Sequence, residues 1–330
     1  MTSKPFGVNL TLLPSINPPD YGAYADAIVN SGVRIVETAG YSPGAVIKKF
    51  KEAGCIVLHK CTTIKHALSA VKLGADFLSI DGFECAGHVG ETDITNFILL
   101  SRARQELGRM GVPFIASGGF ADGQGLAAAL ALGAEGINMG TRFMCTVEAP
   151  IHMNIKKAIV EATEDDTELV LRRWRNTSRL FKNKVVEEAV KIERESSTGK
   201  FEEVQPLVSG QRGRQVFLNG DKDFGVWTAG QVIGLIHDIP TCKELVDRIE
   251  EEALKTLQAK IGLADGSADT GASASAGQSA GRQAPRDSIE GDIDDAKDQK
   301  IQKKDGENHP QAQLWGVGEQ NNRKSKDSKL

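Results

Sequence analysis

Aromatic residues make up only 5% of the 330-residue chain. No apolar run approaches the ~18 residues that a membrane-spanning helix needs, which excludes a helical membrane protein. A dominant charge is missing too: 40 Lys and Arg face 44 Asp and Glu, leaving a net −4. No basic field therefore calls for nucleic acid as a partner. The five cysteines, Cys55, Cys61, Cys85, Cys145 and Cys242, include no CxxC pair. Neither a zinc knuckle nor a disulfide framework is expected, and a reducing compartment suits them. His, Asp and Glu never fall at metal-ligand spacing, so no metal site is expected. Met1 to Phe6 carries no secretory leader pattern. The first expected strand, Phe6 to Leu13, runs into Pro14-Ser15-Ile16 rather than the G-x-G-x-x-G of a dinucleotide binder.

Glycine, at 35 residues, is abundant instead. Most of these glycines read as helix stops and strand-end turns. Short apolar strands are expected at Phe6–Leu13, Arg34–Thr38, Ile56–His59, Asp76–Asp81, Pro113–Ala116 and Gly136–Met139. Helices are expected between them at Tyr21–Asn30, Pro43–Ala53, Thr63–Leu73, Ile94–Met110 and Gly123–Leu132. Such alternation means an α/β fold with a parallel sheet covered by helices. By count, six βα units fit an open doubly wound sheet. The glycine-rich turns favour a barrel: Ser117-Gly118-Gly119 and Gly140-Thr141 follow the last two strands. A (β/α)8 barrel often binds phosphate there, after strands 7 and 8. The six strands then count as strands 3 to 8. The expected fold is a TIM-type (β/α)8 barrel lacking its first two βα units, with an added helical domain and a disordered C-terminal tail.

The expected boundaries are a partial barrel at 1–145, a mainly helical added domain at 146–225, helices packing on the barrel at 226–264, and a tail at 265–330. In the tail, Ser267 to Gly281 is nearly all small residues and Trp315 is the lone aromatic. Such a composition cannot offset an ordering cost of roughly 1–2 kcal/mol per residue. The tail closes on Ser328-Lys329-Leu330, a peroxisomal import address that an import receptor would read. A peroxisomal location is expected, and a cytoplasmic one without that signal.

Two places carry chemistry. Gly118, Gly119, Gly140 and Thr141 offer backbone N–H groups and an uncrowded approach to a phosphate; plain βα turns are the alternative. His88 lies in a strand-end loop between Gly87 and Gly90, and an imidazole with a pKa near 6.5 suits proton transfer. Asp81 is expected to tie this loop down, and Glu84 to hold it or tune His88. Cys85 is expected to pack rather than react, for want of an electropositive neighbour.

Three stretches are similar to the nitronate monooxygenase family, formerly the 2-nitropropane dioxygenases. They are Asp81-Gly82-Phe83-Glu84-Cys85-Ala86-Gly87-His88-Val89-Gly90-Glu91, Ala116-Ser117-Gly118-Gly119-Phe120-Ala121-Asp122-Gly123, and Leu132-Gly133-Ala134 through Asn138-Met139-Gly140-Thr141-Arg142-Phe143. The resemblance runs from about Lys4 to about Leu257. It implies an FMN enzyme on a TIM-like barrel with an added helical domain. FMN would be held by Asn9, Lys60, Gly118, Gly119, Gly140 and Thr141. Lys60 would sit near the flavin N1–C2 edge and Asn9 at the ring edge, although Asn9 reads equally well as a turn cap. His88 would act on the substrate, as a base or an orienting donor. The implied reaction is oxidation of alkyl nitronates with O2. The loop from Asp81 to Glu91 also resembles a subgroup that passes hydride from NADH to quinones, which is the alternative activity. A remnant that holds no flavin is the alternative of another class. Trp227 walls the flavin pocket or anchors the core, and Gly210-Gln211-Arg212-Gly213-Arg214 is a nucleotide clamp or a tight loop.

Overall fold

The computed structural model describes residues 4–12, 19–41 and 43–264. The expected tail at 265–330, with Ser328-Lys329-Leu330, lies outside the described residues. The chain opens with β1 (Gly7–Leu12), α1 (Tyr21–Asn30), β2 (Ile35–Gly40), α2 (Gly44–Glu52), β3 (Ile56–Cys61), α3 (Ile64–Lys72) and β4 (Phe77–Asp81). A two-residue strand β5 (Gly87–His88) follows, then α4 (Asn96–Leu107), β6 (Phe114–Ser117), α5 (Gly123–Ala131), β7 (Ile137–Asn138) and α6 (Thr141–Met144). Next come α7 (Met153–Glu161), β8 (Thr167–Val170), β9 (Ser178–Phe181), α8 (Lys184–Glu195), α9 (Gly210–Asn219) and α10 (Cys242–Ala264).

Six strands form one parallel sheet in the order β1-β2-β3-β4-β6-β7, the sequential order of a TIM-type barrel wall. A doubly wound sheet would reverse direction at a switch point, and this one does not. Local chemistry explains the helices that cover it. In α2 the buried residues Val46, Ile47 and Phe50 recur on one face. Thr63 caps α3 by accepting the His66 N–H, and Asp122 caps α5 by accepting that of Gly125. Two apolar clusters fill the space between sheet and helices. One joins Leu10, Val36 and Val57 to Ile47 and Phe50; the other joins Leu78, Ile80, Phe114 and Ala116 to Leu99, Leu100 and Leu107.

Between 146 and 225 the chain is mainly helical through α7, α8 and α9, but it also carries β8 and β9. These pair with β5 in a second, antiparallel sheet of order β5-β9-β8. The charged stretch from Glu148 to Lys200 reads as helix in the sequence, and this small sheet is the difference. Four-residue strands are too short to show a period, and β5, which pairs with β9, lies far away in the chain. Trp227 stacks on Phe181 with ring centroids 4.2 Å apart and is buried, so it anchors the core of this region. The Gly210–Arg214 stretch is the first turn of α9, where Arg212 donates to the Phe224 and Pro206 carbonyls.

Candidate active site

Parallel register brings the C-terminal strand ends to one rim. Lys60 stands opposite Ser79, Asp81 opposite Ser117, and Ser117 opposite Asn138. Two adjoining cavities open on this rim and share Lys60, Asp81 and Ala86 in their walls.

The smaller cavity, about 130 Å³, is edged by Ser117, Gly118, Gly119, Asn138, Gly140 and Thr141. Among the described residues, the backbone N–H groups of Gly118, Gly119, Gly140 and Thr141 donate to no protein acceptor. Asn96 fixes the first turn: its side-chain amide donates to the Ser117 carbonyl at 2.8 Å and to that of Gly118. Asn96 is in turn held by Glu84, whose carboxylate accepts the Asn96 N–H at 3.0 Å. Glu84 therefore holds the loop, and His88 bonds to Asn176 instead. The Thr141 hydroxyl accepts the Gly230 N–H at 3.1 Å, which ties the segment after Trp227 to the rim and leaves the hydroxyl proton to donate. The cavity is a cradle of neutral donors, suited to an oxyanion such as phosphate.

The larger cavity, about 600 Å³, is lined by Asn9, Thr11, Lys60, His88, Arg175 and Asn176 among others. Asn9 donates to the Glu37 carboxylate at 2.5 Å and accepts from Thr11 at 2.6 Å. The Lys60 ammonium stands 3.7 Å from the buried Asp81 carboxylate. Burial opposes the charge on Lys60, but Asp81 and Glu37 outweigh it and hold its pKa above the ordinary value. Burial raises the pKa of Asp81, against the pull of Lys60. Lys60 thus presents a fixed positive charge to both cavities. His88 reaches the larger cavity from β5, and its Nε2 lies 3.0 Å from Asn176 Oδ1. The ring touches solvent there, yet the surrounding protein lowers its pKa and the Asn176 bond only partly offsets this. It is therefore neutral at neutral pH. The buried thiols of Cys61 and Cys85 are pushed up to about 12 by burial, which leaves both inert as nucleophiles. Among the described residues, no three His, Cys, Asp or Glu side chains converge to hold a metal ion.

A profile of the nitronate monooxygenase family matches residues 1–252. The chain belongs to that family. A dehydrogenase of Mycobacterium tuberculosis, acting on a 5-hydroxy-7a-methyl-1-oxo-octahydro-1H-indene-4-carboxyl-CoA, is 29% identical over 299 residues, 80% of this chain and 82% of the relative. The nitronate monooxygenase of Neurospora crassa is 29% identical over 240 residues, 67% of this chain and 62% of the relative. Among solved structures, FabK from Thermotoga maritima superposes with a TM-score of 0.72 at 30% identity, covering 79% of this chain and 80% of that one.

As a member of the nitronate monooxygenase family the chain is an oxidoreductase. The structure gathers the residues that the sequence singles out. Asn9, Lys60 and His88 line the larger cavity, and Gly118, Gly119, Gly140 and Thr141, with Lys60 again, line the smaller. Asn96, Arg175 and Asn176 were not singled out. Asn96 left a signal, since an Asn inside an apolar helix face needs a buried partner. Asn176 left none, because its approach to His88 depends on the β5–β9 pairing.

Proposed function

We propose that this chain is an FMN-dependent oxidoreductase that oxidises alkyl nitronates with O2. One observation carries the reading: a phosphate-sized cradle of unpaired backbone donors opens past Lys60 into a cavity that holds a neutral histidine. Gly140 supports the fit. Its φ of −107° suits any residue, and an added Cβ would meet no protein atom within 4 Å, so the space beside it is room for a ligand. In this reading Gly118, Gly119, Gly140 and Thr141 hold the FMN phosphate, and Lys60 and Asn9 address the flavin ring. FMN, when bound, supplies the redox chemistry, accepting electrons from the substrate and delivering them to O2. Lys60, fixed by Asp81, favours negative charge developing nearby without having to reorient. His88, kept neutral, orients the substrate, or accepts the α-proton of a neutral nitroalkane and so forms the nitronate in the site.

The second reading is NADH:quinone oxidoreduction at the same site. The loop from Asp81 to Glu91 favours it, because this stretch, which brings His88 to the larger cavity, also resembles the NADH:quinone subgroup. The purified protein, loaded with FMN, is expected to show the flavin absorbance bands and to consume O2 with propionate 3-nitronate. His88→Asn is expected to lower kcat/KM by about 10²–10⁴-fold. Turnover of NADH with benzoquinone alone would replace the first reading with the second. A protein that stays colourless in excess FMN would overturn both, in favour of a remnant.

A further inference from the structure

We propose that Asn176 is a positioning residue that holds His88 as its Nε2–H tautomer, leaving Nδ1 as the proton-accepting nitrogen. The inference rests on the reading of His88 as the group that moves a proton. The contact itself is direct: Asn176 Oδ1 lies 3.0 Å from His88 Nε2. A carboxamide oxygen can only accept, so the ring nitrogen facing it carries the hydrogen. The partner carries no charge, so it selects a tautomer while favouring the imidazolium less than a carboxylate would, and the pKa of the ring stays below its ordinary value.

The surrounding structure holds this pair in place from both sides. The loop that carries His88 pairs with β9, Gly87 opposite Arg179 and His88 opposite Ser178. Three residues on, Glu91 grips the neighbour of Asn176: its carboxylate accepts from the Thr177 N–H at 3.0 Å and from the Thr177 hydroxyl at 2.7 Å. The barrel loop and the turn before β9 therefore clasp each other reciprocally.

That turn is strained and heavily pinned. Leu171 and Arg175 take φ of 64° and 52°, left-handed values that non-glycine residues rarely adopt. Glu193 holds the turn by accepting the Leu171 and Arg173 N–H groups, both at 2.8 Å. Arg172 pairs with Asp93 at 2.8 Å, and the Trp174 indole donates to the Gly199 carbonyl at 3.0 Å. Such over-determination of a strained turn, with its next residue set against a cavity histidine, is the pattern of a functional constraint rather than of a loose connection. The charged groups sharing the cavity wall with His88 are Glu91 on its own loop, Lys60 and Asp81 on the barrel strands, and Arg175 on the turn.

The test is nitrogen-15 NMR of the imidazole rings in FMN-loaded full chain, with the His88 signals assigned by their loss in His88→Asn. The neutral wild-type ring is expected to be the Nε2–H tautomer. Asn176→Leu is expected to release it to a mixture, lower its pKa and reduce kcat/KM by about 10-fold or more. The isosteric Asn176→Asp keeps the fold and is expected to move the acid limb of the kcat/KM profile upward. A wild-type ring that is mainly Nδ1–H overturns the proposal. So do Asn176 variants that change neither tautomer nor pH profile. If the tautomer follows Asn176 while His88→Asn leaves turnover intact, the positioning stands and the proton-transfer role of His88 falls.

Discussion

Gly118 and Gly140 edge the same small cavity, yet different forces make them glycine. Gly118 has a φ of 82°, and an added Cβ would stand 2.7 Å from the Cys85 Cβ. The protein alone demands glycine there, for backbone conformation and for space. At Gly140 the protein demands nothing, since φ is ordinary and the neighbouring space is open. A substitution therefore separates folding from ligand binding. Gly118→Ala is expected to cost about 1–3 kcal/mol of stability with or without FMN. Gly140→Val is expected to leave the melting temperature of the FMN-free protein unchanged while weakening FMN binding at least about 10-fold. Thermal melts of both variants, with flavin titrations followed by absorbance, check the pair. Unchanged FMN affinity in Gly140→Val would remove the smaller cavity as the phosphate site.

Strand β3 shows how one element serves two purposes. Its alternate residues face opposite sides of the sheet. Lys60 lines both cavities, whereas the preceding His59, at the wall of the larger one only, is buried, with Nδ1 2.8 Å from the Thr38 hydroxyl. Burial lowers the His59 pKa from 6.5 to about 4, with a further push from His66. A depressed folded-state pKa leaves stability whole above the unfolded value and removes it as pH falls. Stability is therefore expected to drop between pH 6.5 and 4, by an amount on the order of 3 kcal/mol. Urea midpoints across that window are expected to fall more steeply in the wild type than in His59→Gln, which cannot titrate. Parallel slopes would show that other groups govern the acid limb. This element was legible in the sequence, because an apolar run ending in a polar rim residue is what a buried parallel strand looks like. The β5, β8 and β9 strands were not, since they are two to four residues long, and β5 meets β9 across about ninety residues of chain. The sequence thus revealed His88 but not the partner that orients it.

At the scale of the whole molecule, the site belongs to the barrel rim on one side and to the added region on the other. On the cradle side of the barrel α10 packs on α5, and its buried face carries Leu245, Ile249 and Ala253. The closest approach is at Gly123, the first residue of α5, where a Cβ would stand 2.5 Å from the Ala253 N and the Ile249 carbonyl oxygen. Both are backbone atoms and cannot rotate away. The Gly123 N–H also donates to the Glu252 carboxylate at 2.8 Å. Gly123→Ala must therefore push α10 outward and thin the contact of its buried face. Overpacking of this kind costs roughly 1–3 kcal/mol, or several degrees of melting temperature for a chain this size. The same move loosens the start of α5, which follows directly on the Gly118-Gly119 turn, so FMN binding is expected to weaken as well. Hydrogen exchange is expected to rise across 242–264 and at 118–123, while the β5–β9 clasp stays protected. Protection lost evenly over the whole chain would mean that α10 is part of one cooperative unit rather than a clamp on the cradle side of the barrel.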